Sequence, residues 1–341
     1  MKYPKSLNEK SNIVFAAPSF GCAGQPYRTA FLNACNKFQD MGYGVALGPN
    51  CFEEKGFLLS NEPEATGKEL TDCYCDPRFS ALISCGGGEL MCRTIEHVDW
   101  HRIREAQPKW FMGYSDNTNF SFLLNTLCDT AAVYGPNAPA FGQDEWHPAV
   151  SDALEILKGK REVHSYPLWE KESLKTAENP LVSYNCTEAY EHKLYDASHR
   201  RVDSLRMEGR LIGGCLDILV SLCGTSFDRM AEFCAKYKED GILWFFECCD
   251  LTPLEMIRAI WRLKYCGWMK NVRGIILGRP YLYEQDAPDW ETAVLEAFRD
   301  FPIPIVRDTD IGHLPPAMPL ISGAYARVEA DRTCKITFEE R

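Results

Sequence analysis

The sequence predicts an α/β protein: an N-terminal parallel-sheet α/β domain followed by a second α/β domain with a more antiparallel end. Three observations predict it. Short apolar runs of strand length alternate with longer stretches of helical periodicity, the pattern of βαβ units. The chain of 341 residues holds two domains at ~150 residues each. The periodicity also breaks down once, over residues 161–205, where charge, Pro and Asn mix without a sustained period.

Taken in order, residues 13–17 (IVFAA) read as a buried strand followed by a Pro-Ser-Phe-Gly turn. Residues 27–41 place Phe31, Ala34, Cys35 and Phe38 on one helical face. Gly42-Tyr43-Gly44 ends that helix, and Val45-Ala46-Leu47 begins the next strand. A polar helix over 64–75, a strand over 81–85, a Gly-rich turn, a helix to residue 98, a strand over 110–112 and a helix over 117–128 continue the alternation. Residues 161–205 read as a crossover joining a domain of residues 1–160 to one of residues 206–341. The second domain is expected to hold a Gly-Gly turn with an apolar helix (213–223), a strand over 242–247 and a helix over 253–265. A strand over 274–277, a helix near 290–298 and closing strands near 325–328 and 335–338 complete it.

Composition narrows the function. Apolar residues at 45% and charged residues at 25% are those of a folded chain rather than a disordered one. A net charge of −11 gives no general attraction to phosphate backbones or anionic lipid, so neither nucleic acid nor a membrane is an expected partner. The opening residues are polar, the apolar run after them is short, and no later run approaches the ~20 residues needed to span a bilayer. A cytoplasmic location is the expectation. The 16 cysteines are scattered, with no CxxC pair, and read as buried, reduced thiols rather than a disulfide scaffold or zinc site.

Residues 110–120 (WFMGYSDNTNF) carry the most chemistry. A buried strand ends at Gly113, and Asp116, Asn117 and Thr118 offer capping side chains before an apolar helix. Ser115 therefore sits on a strand-to-helix turn, where it is either a helix cap or a nucleophile held off the sheet edge; the local residues leave both open. A nucleophilic serine needs a base. His97 and His101, spaced i,i+4 on an expected helix, read as a polar face rather than a metal pair, because no HExxH surrounds them. His147, His164, His192 and His199 fall in irregular surroundings. His313 differs, because Gly312-His313-Leu314-Pro315-Pro316 is a stiff loop after a strand. Glu247 ends the most apolar strand of the chain, where a carboxylate is costly to bury unless paired, and Asp250 and Thr252 are better placed to cap the helix that follows. Gly86-Gly87-Gly88 also follows a strand. It lacks the third glycine of a dinucleotide fingerprint (Met91 stands there), but it lets backbone N–H groups approach a ligand, as an oxyanion hole requires.

Together these segments resemble the LD-carboxypeptidase family of serine peptidases, which includes muramoyl-tetrapeptide carboxypeptidases and microcin C immunity peptidases. The resemblance runs nearly end to end. It rests on Ala17-Pro18-Ser19, Asp76-Pro77 with Gly86-Gly87-Gly88, Gly113-Tyr114-Ser115-Asp116, Tyr134-Gly135-Pro136, residues 209–225 (GRLIGGCLDILVSLCGT), Glu247, and Gly312-His313 with Pro316 and Gly323. It implies a Ser115–His313–Glu247 triad, with the backbone N–H of Asp116 and of Gly87 or Gly88 binding the oxyanion. It also implies no metal or other cofactor, an active site in a cleft between the domains, and a homodimer. The expected substrate is a muropeptide with an L,D bond or a peptidyl-nucleotide of the microcin C type. The length and the 161–205 segment look closer to the microcin-immunity branch, in which an aromatic residue stacks on the nucleobase; Trp169 is the candidate here, and Arg93 is a candidate anchor for a substrate carboxylate. Two departures bear on substrate choice: Cys215 stands where the family has Asn, and Ile321 where it has a second Pro before Gly323. The competing readings are a family member that binds a muropeptide or nucleotide without turnover, and a cysteine-based metal or redox protein centred on Cys248 and Cys249.

Overall fold

Four apolar strands, each buried along nearly its whole length, set the first sheet. The computed structural model describes residues 1–284 and 288–341, and they form two units. The first comprises Met1–Lys160, Glu172–Asn185 and Pro319–Ile321. Its six-stranded sheet runs in the order Leu320–Ser322, Ala132–Tyr134, Trp110–Gly113, Ala81–Ser84, Asn12–Ala16, Gly44–Leu47. The five strands from Ala132–Tyr134 to Gly44–Leu47 are mutually parallel. Strands covered on both faces read as continuous apolar runs, which is why Asn12–Ala16, Ala81–Ser84 and Trp110–Gly113 were legible in the sequence, whereas the three-residue Ala132–Tyr134 was not. Helix Tyr27–Asp40 buries the face expected of it, with Phe31 and Phe38 edge-on to Phe15 at 5.3 and 5.6 Å between ring centroids. Phe111 and Phe120 close the neighbouring layer at 4.8 Å.

The second unit comprises Arg161–Lys171, Cys186–Met318 and Ser322–Arg341. Its eight-stranded sheet runs Glu162–His164, Cys334–Glu339, Tyr325–Ala330, Leu205–Cys215, Ile242–Glu247, Val272–Gly278, Ile305–Thr309, Lys193–Tyr195. The four strands from Leu205–Cys215 to Ile305–Thr309 are parallel and the outer ones antiparallel. The fold class is therefore the one predicted, α/β throughout with a more antiparallel end. Trp244 and Trp268 stack at 5.8 Å in its core. Arg210 is buried there without isolation: Asp240 pairs with it, the Gly323 carbonyl accepts from it at 3.0 Å, and its guanidinium lies 4.2 Å from the Tyr237 ring.

Three local expectations change. The stretch 161–205 carries four short strands, Glu162–His164, Leu168–Glu170, Cys186–Ala189 and Lys193–Tyr195. They lie at sheet edges or in a separate two-stranded ribbon, where half-exposed residues leave no clean alternation. Gly213 and Gly214 belong to the strand Leu205–Cys215, paired with Phe245 and Phe246, and the helix begins only at Leu216. The helix expected to run to residue 98 is broken into Met91–Thr94, a 3-10 turn at Ile95–His97 and, after Val98-Asp99, Trp100–Glu105. His97 and His101 thus do not share one helix, and Asp99 caps the second by accepting from Arg102 N at 3.0 Å. No helix among the described residues is long and apolar enough to cross a membrane.

Candidate active site

In the first unit the strand Trp110–Gly113 hands over to Ser115 within two residues. Tyr114 is extended, and Ser115 then turns into the left-handed region at φ +63° before the 3-10 turn Ser115–Asn117 and the helix Thr118–Cys128. A helix-capping serine keeps extended backbone angles; a non-glycine residue at positive φ is strained and recurs at functional turns. The Ser115 N–H donates to Tyr134 Oη at 3.2 Å. A Cβ built on Gly87 would lie 3.2 Å from Ser115 Oγ, which places the glycine loop against the hydroxyl. Gly88 needs its φ of +133°, and a Cβ there would stand 2.2 Å from Ser19 Oγ.

The expected caps serve the site instead. Asp116 is buried, and its carboxylate accepts from Ser19 Oγ, from Met91 N at 2.8 Å and from Asn119 Nδ2 at 2.9 Å. Burial pushes its carboxyl up, and these hydrogen bonds act against that rise. Asn117 Nδ2 donates to the Gly86 carbonyl at 2.8 Å. The Ser115 turn is thus tied to the glycine loop by Asn117 and to the start of the helix after that loop by Asp116. Asn117 had read only as a cap, since its partner lies in a loop 31 residues away.

In the second unit all six residues of Ile242–Glu247 are buried, Glu247 at the strand's end. His313 Nδ1 lies 2.9 Å from Glu247 Oε2. With Nδ1–H donating to the carboxylate, the imidazole is held in the tautomer whose Nε2 carries no proton and can act as a base, and a developing imidazolium is stabilised. Thr252 caps the next helix in a capping box with Glu255, so Glu247 has no capping duty. Gly312 has φ +107°, and a Cβ on it would stand 2.9 Å from both Cβ and Oε2 of Glu247. Gly312→Ala is expected to cost about 2–4 kcal/mol through strain and overpacking. It should also lower kcat by about 100-fold through the displaced imidazole. Thermal melts and steady-state kinetics check this, and wild-type values for both would remove Gly312 from the site.

Sequence reasoning also missed Asp217. Its carboxylate accepts the N–H groups of Cys249, Asp250 and Leu251 at 3.2, 2.9 and 3.1 Å, fixing the chain that leaves Glu247. An acidic residue in the first turn after Gly-Gly was the available signal. Cys215, beside it, is buried with Sγ 3.4 Å from Asp217 Oδ2, and burial holds its thiol well above the ordinary range.

Comparison with known proteins assigns the chain. The LD-carboxypeptidase N-terminal domain matches residues 13–135 and the LD-carboxypeptidase C-terminal domain residues 208–328. The chain belongs to the LD-carboxypeptidase family. The probable murein peptide carboxypeptidase of Bacillus subtilis is 25% identical over 98% of this chain and 93% of its own length. The microcin C7 self-immunity protein MccF of Escherichia coli is 25% identical over 89% and 86%. Among solved structures, an MccF-like protein from Bacillus anthracis superposes with a TM-score of 0.82 at 20% identity, covering 99% of this chain and all of that one. MccF in complex with aspartyl sulfamoyl adenosine gives 0.78 at 21%, covering 99% and 98%. At those identities the structures establish a shared fold.

The remaining candidates of this family member divide between the units. Arg93 is exposed in the first, two residues after the Met91 N–H that Asp116 holds. Trp169 is in the second, 5.7 Å from the Tyr283 ring and 5.1 Å from the Arg279 guanidinium. With Tyr283, Trp290, Arg279 and Arg307 it lines a pocket of about 700 Å³. Glu170 N donates to the Pro315 carbonyl at 2.6 Å, so the strand bearing Trp169 is fastened to the loop that follows His313. His147 caps its helix by accepting from Ala149 N, while His164 pairs with Glu162 and His192 with the Asp331 carbonyl. Among the described residues no group of three His, Cys, Asp or Glu could hold a metal. Burial pushes the Cys248 thiol well above its ordinary range, and pushes up that of Cys249, against the pull of His313.

Proposed function

We propose that the chain is a metal-independent serine carboxypeptidase or amidase, with Ser115 as nucleophile, His313 as general base and acid, and Glu247 orienting the imidazole. Ser115 Oγ attacks the scissile carbonyl carbon as its proton passes to His313 Nε2. The oxyanion that forms accepts from the backbone N–H of Asp116 and of Gly87 or Gly88. Collapse breaks the C–N bond, the leaving amine takes the proton from His313, and water, deprotonated by the same imidazole, hydrolyses the acyl-enzyme. This reading takes residues 1–160 as the nucleophile-bearing domain, 161–205 as the joining segment and 206–341 as the domain of Glu247 and His313.

The observation that carries it is Ser115 itself, at φ +63° on a strand-to-helix turn with the glycine loop against its hydroxyl. The family membership and the pairing of buried Glu247 with part-buried His313 point the same way. The substrate class is an amide in a muropeptide with an L,D bond or in a peptidyl-nucleotide, the latter favoured by the aromatic pocket at Trp169 and by the ligand of the structurally similar MccF.

Mass spectrometry of the protein incubated separately with an L,D-linked muropeptide and a peptidyl-adenylate mimic tests this. Cleavage of either supports the peptidase, and the substrate cleaved selects the branch. Saturable binding without product from either would turn the reading to a non-catalytic binder. Stacking on a base is worth about 1–3 kcal/mol. Trp169→Ala should therefore raise KM for the peptidyl-adenylate about tenfold and leave the muropeptide KM near wild type. Equal effects on both substrates would remove Trp169 as a nucleobase platform.

A further inference from the structure

Phe57 is 86% exposed and Leu58 48%, the former the most exposed large apolar side chain among the described residues. Both sit at positive φ, +54° and +56°, directly after Gly56 at +95°. Three successive left-handed residues, two of them bulky, are a strained way to build a surface turn. Displaying a phenyl ring to water from such a turn has no value to the fold, because the ring is not buried by the chain that carries it. Backbone strain of this kind clusters at ligand clamps and active sites, and here it carries two adjacent exposed apolar side chains.

The turn is not loose at its base. Lys55 N donates to the Leu59 carbonyl at 2.9 Å, and Leu59 N to that of Gly56 at 3.0 Å. Ser60 N donates to Ser19 O at 2.7 Å, and Ser60 Oγ to Ala17 O at 2.6 Å. Ser19 in turn donates through Oγ to Asp116, the residue after the nucleophile. The tip is placed as definitely: a Cβ on Gly88 would stand 3.0 Å from the Leu58 carbonyl oxygen. A continuous path of packed groups therefore runs from this turn through Gly88 and Gly87 to Ser115.

We propose that Phe57 is a specificity-determining residue of the Ser115 site, whose ring covers apolar substrate surface beside the scissile amide. This inference rests on the peptidase reading. An aromatic ring on a stiff base gives contact area at little cost in conformational freedom, and it discriminates apolar from polar groups at the position it covers.

Phe57→Gly tests it, because glycine tolerates the positive φ and removes only the ring. The assay uses whichever substrate type the wild type cleaves, in two forms with leucine or asparagine beside the scissile bond, residues of nearly equal shape. The leucine-over-asparagine preference in kcat/KM should fall about tenfold, mainly through a raised KM for the leucine form. The melting temperature should hold or rise as strain is relieved. An unchanged preference, a lowered melting temperature or a changed oligomeric state in light scattering would each overturn the proposal, the last by giving the ring to a second copy of the chain. A wild type that cleaves neither substrate type overturns the peptidase reading and this one with it, whereas normal turnover with an unchanged preference overturns only this one.

Discussion

Ser115→Ala should lower kcat by about 10⁴-fold or more while substrate binding and the fold persist. Removing the nucleophile of a serine hydrolase leaves only what positioning and the oxyanion donors supply, a residue of ~10³–10⁴ over water. The substitution is clean because alanine bears the same Cβ at φ +63°, so the backbone strain at the turn is carried over. The Ser115 N–H bond to Tyr134 and the Asp116 and Asn117 ties do not involve the hydroxyl. Ser115→Gly is the instructive partner. It should be equally inactive yet more stable by about 1 kcal/mol, the left-handed penalty for an L-residue being ~1–2 kcal/mol. Single-turnover mass spectrometry and thermal melts read both effects. Near-wild-type turnover by Ser115→Ala would end the serine mechanism. A less stable Ser115→Gly would show that the turn is not strained.

What the sequence disclosed about this site has a common physical origin. Ser115 follows an apolar strand, Glu247 ends one, and His313 lies in a proline-stiffened loop after a third; a polar residue at the end of an apolar run is conspicuous because burying it needs a partner. The groups that hold them were hidden for the complementary reason. Asn117 reaches Gly86, Asp217 reaches residues 249–251, and Glu170 N reaches Pro315. Each bond joins segments of one unit whose proximity exists only once that unit's own sheet has formed. The positive φ at Ser115 was equally invisible, since serine has no preference for it. The short strands between residues 161 and 195 were missed because edge position leaves them no period. The helix Pro148–Leu157 is another matter: Ala149, Val150, Ala153, Leu154 and Leu157 keep helical spacing after an N1 proline, so its signal is present in the sequence.

Raising the pH from 7 to 10 in the presence of a reductant should lower the melting temperature by roughly 10 °C or more. The cause is a set of thiols that read in the sequence as buried and reduced, as the fold places them. Cys35, Cys223 and Cys334 are buried, and desolvation pushes each from an ordinary 9.0 up to about 12. Cys128 and Cys234 rise to about 11 for the same reason. In the unfolded chain these groups ionise from pH 9 upward, while in the folded chain they keep their protons to pH 11 or beyond. Over that window the folded state binds more protons, so stability falls as pH rises. At pH 10 each thiol withdraws about 1 kcal/mol. Lys109 works in the opposite sense. Burial lowers its ammonium from 10.5 to about 8; the unfolded chain then binds the extra proton between those values, and stability rises with pH there by about 2 kcal/mol. Five thiols outweigh one lysine, and the net loss of several kcal/mol is comparable with the whole stability of a typical domain, ~5–15 kcal/mol. Cys334→Ala should make the alkaline decline shallower and Lys109→Met should make it steeper. A melting temperature at pH 10 equal to that at pH 8 would mean that these thiols ionise in the folded protein as readily as in the unfolded one.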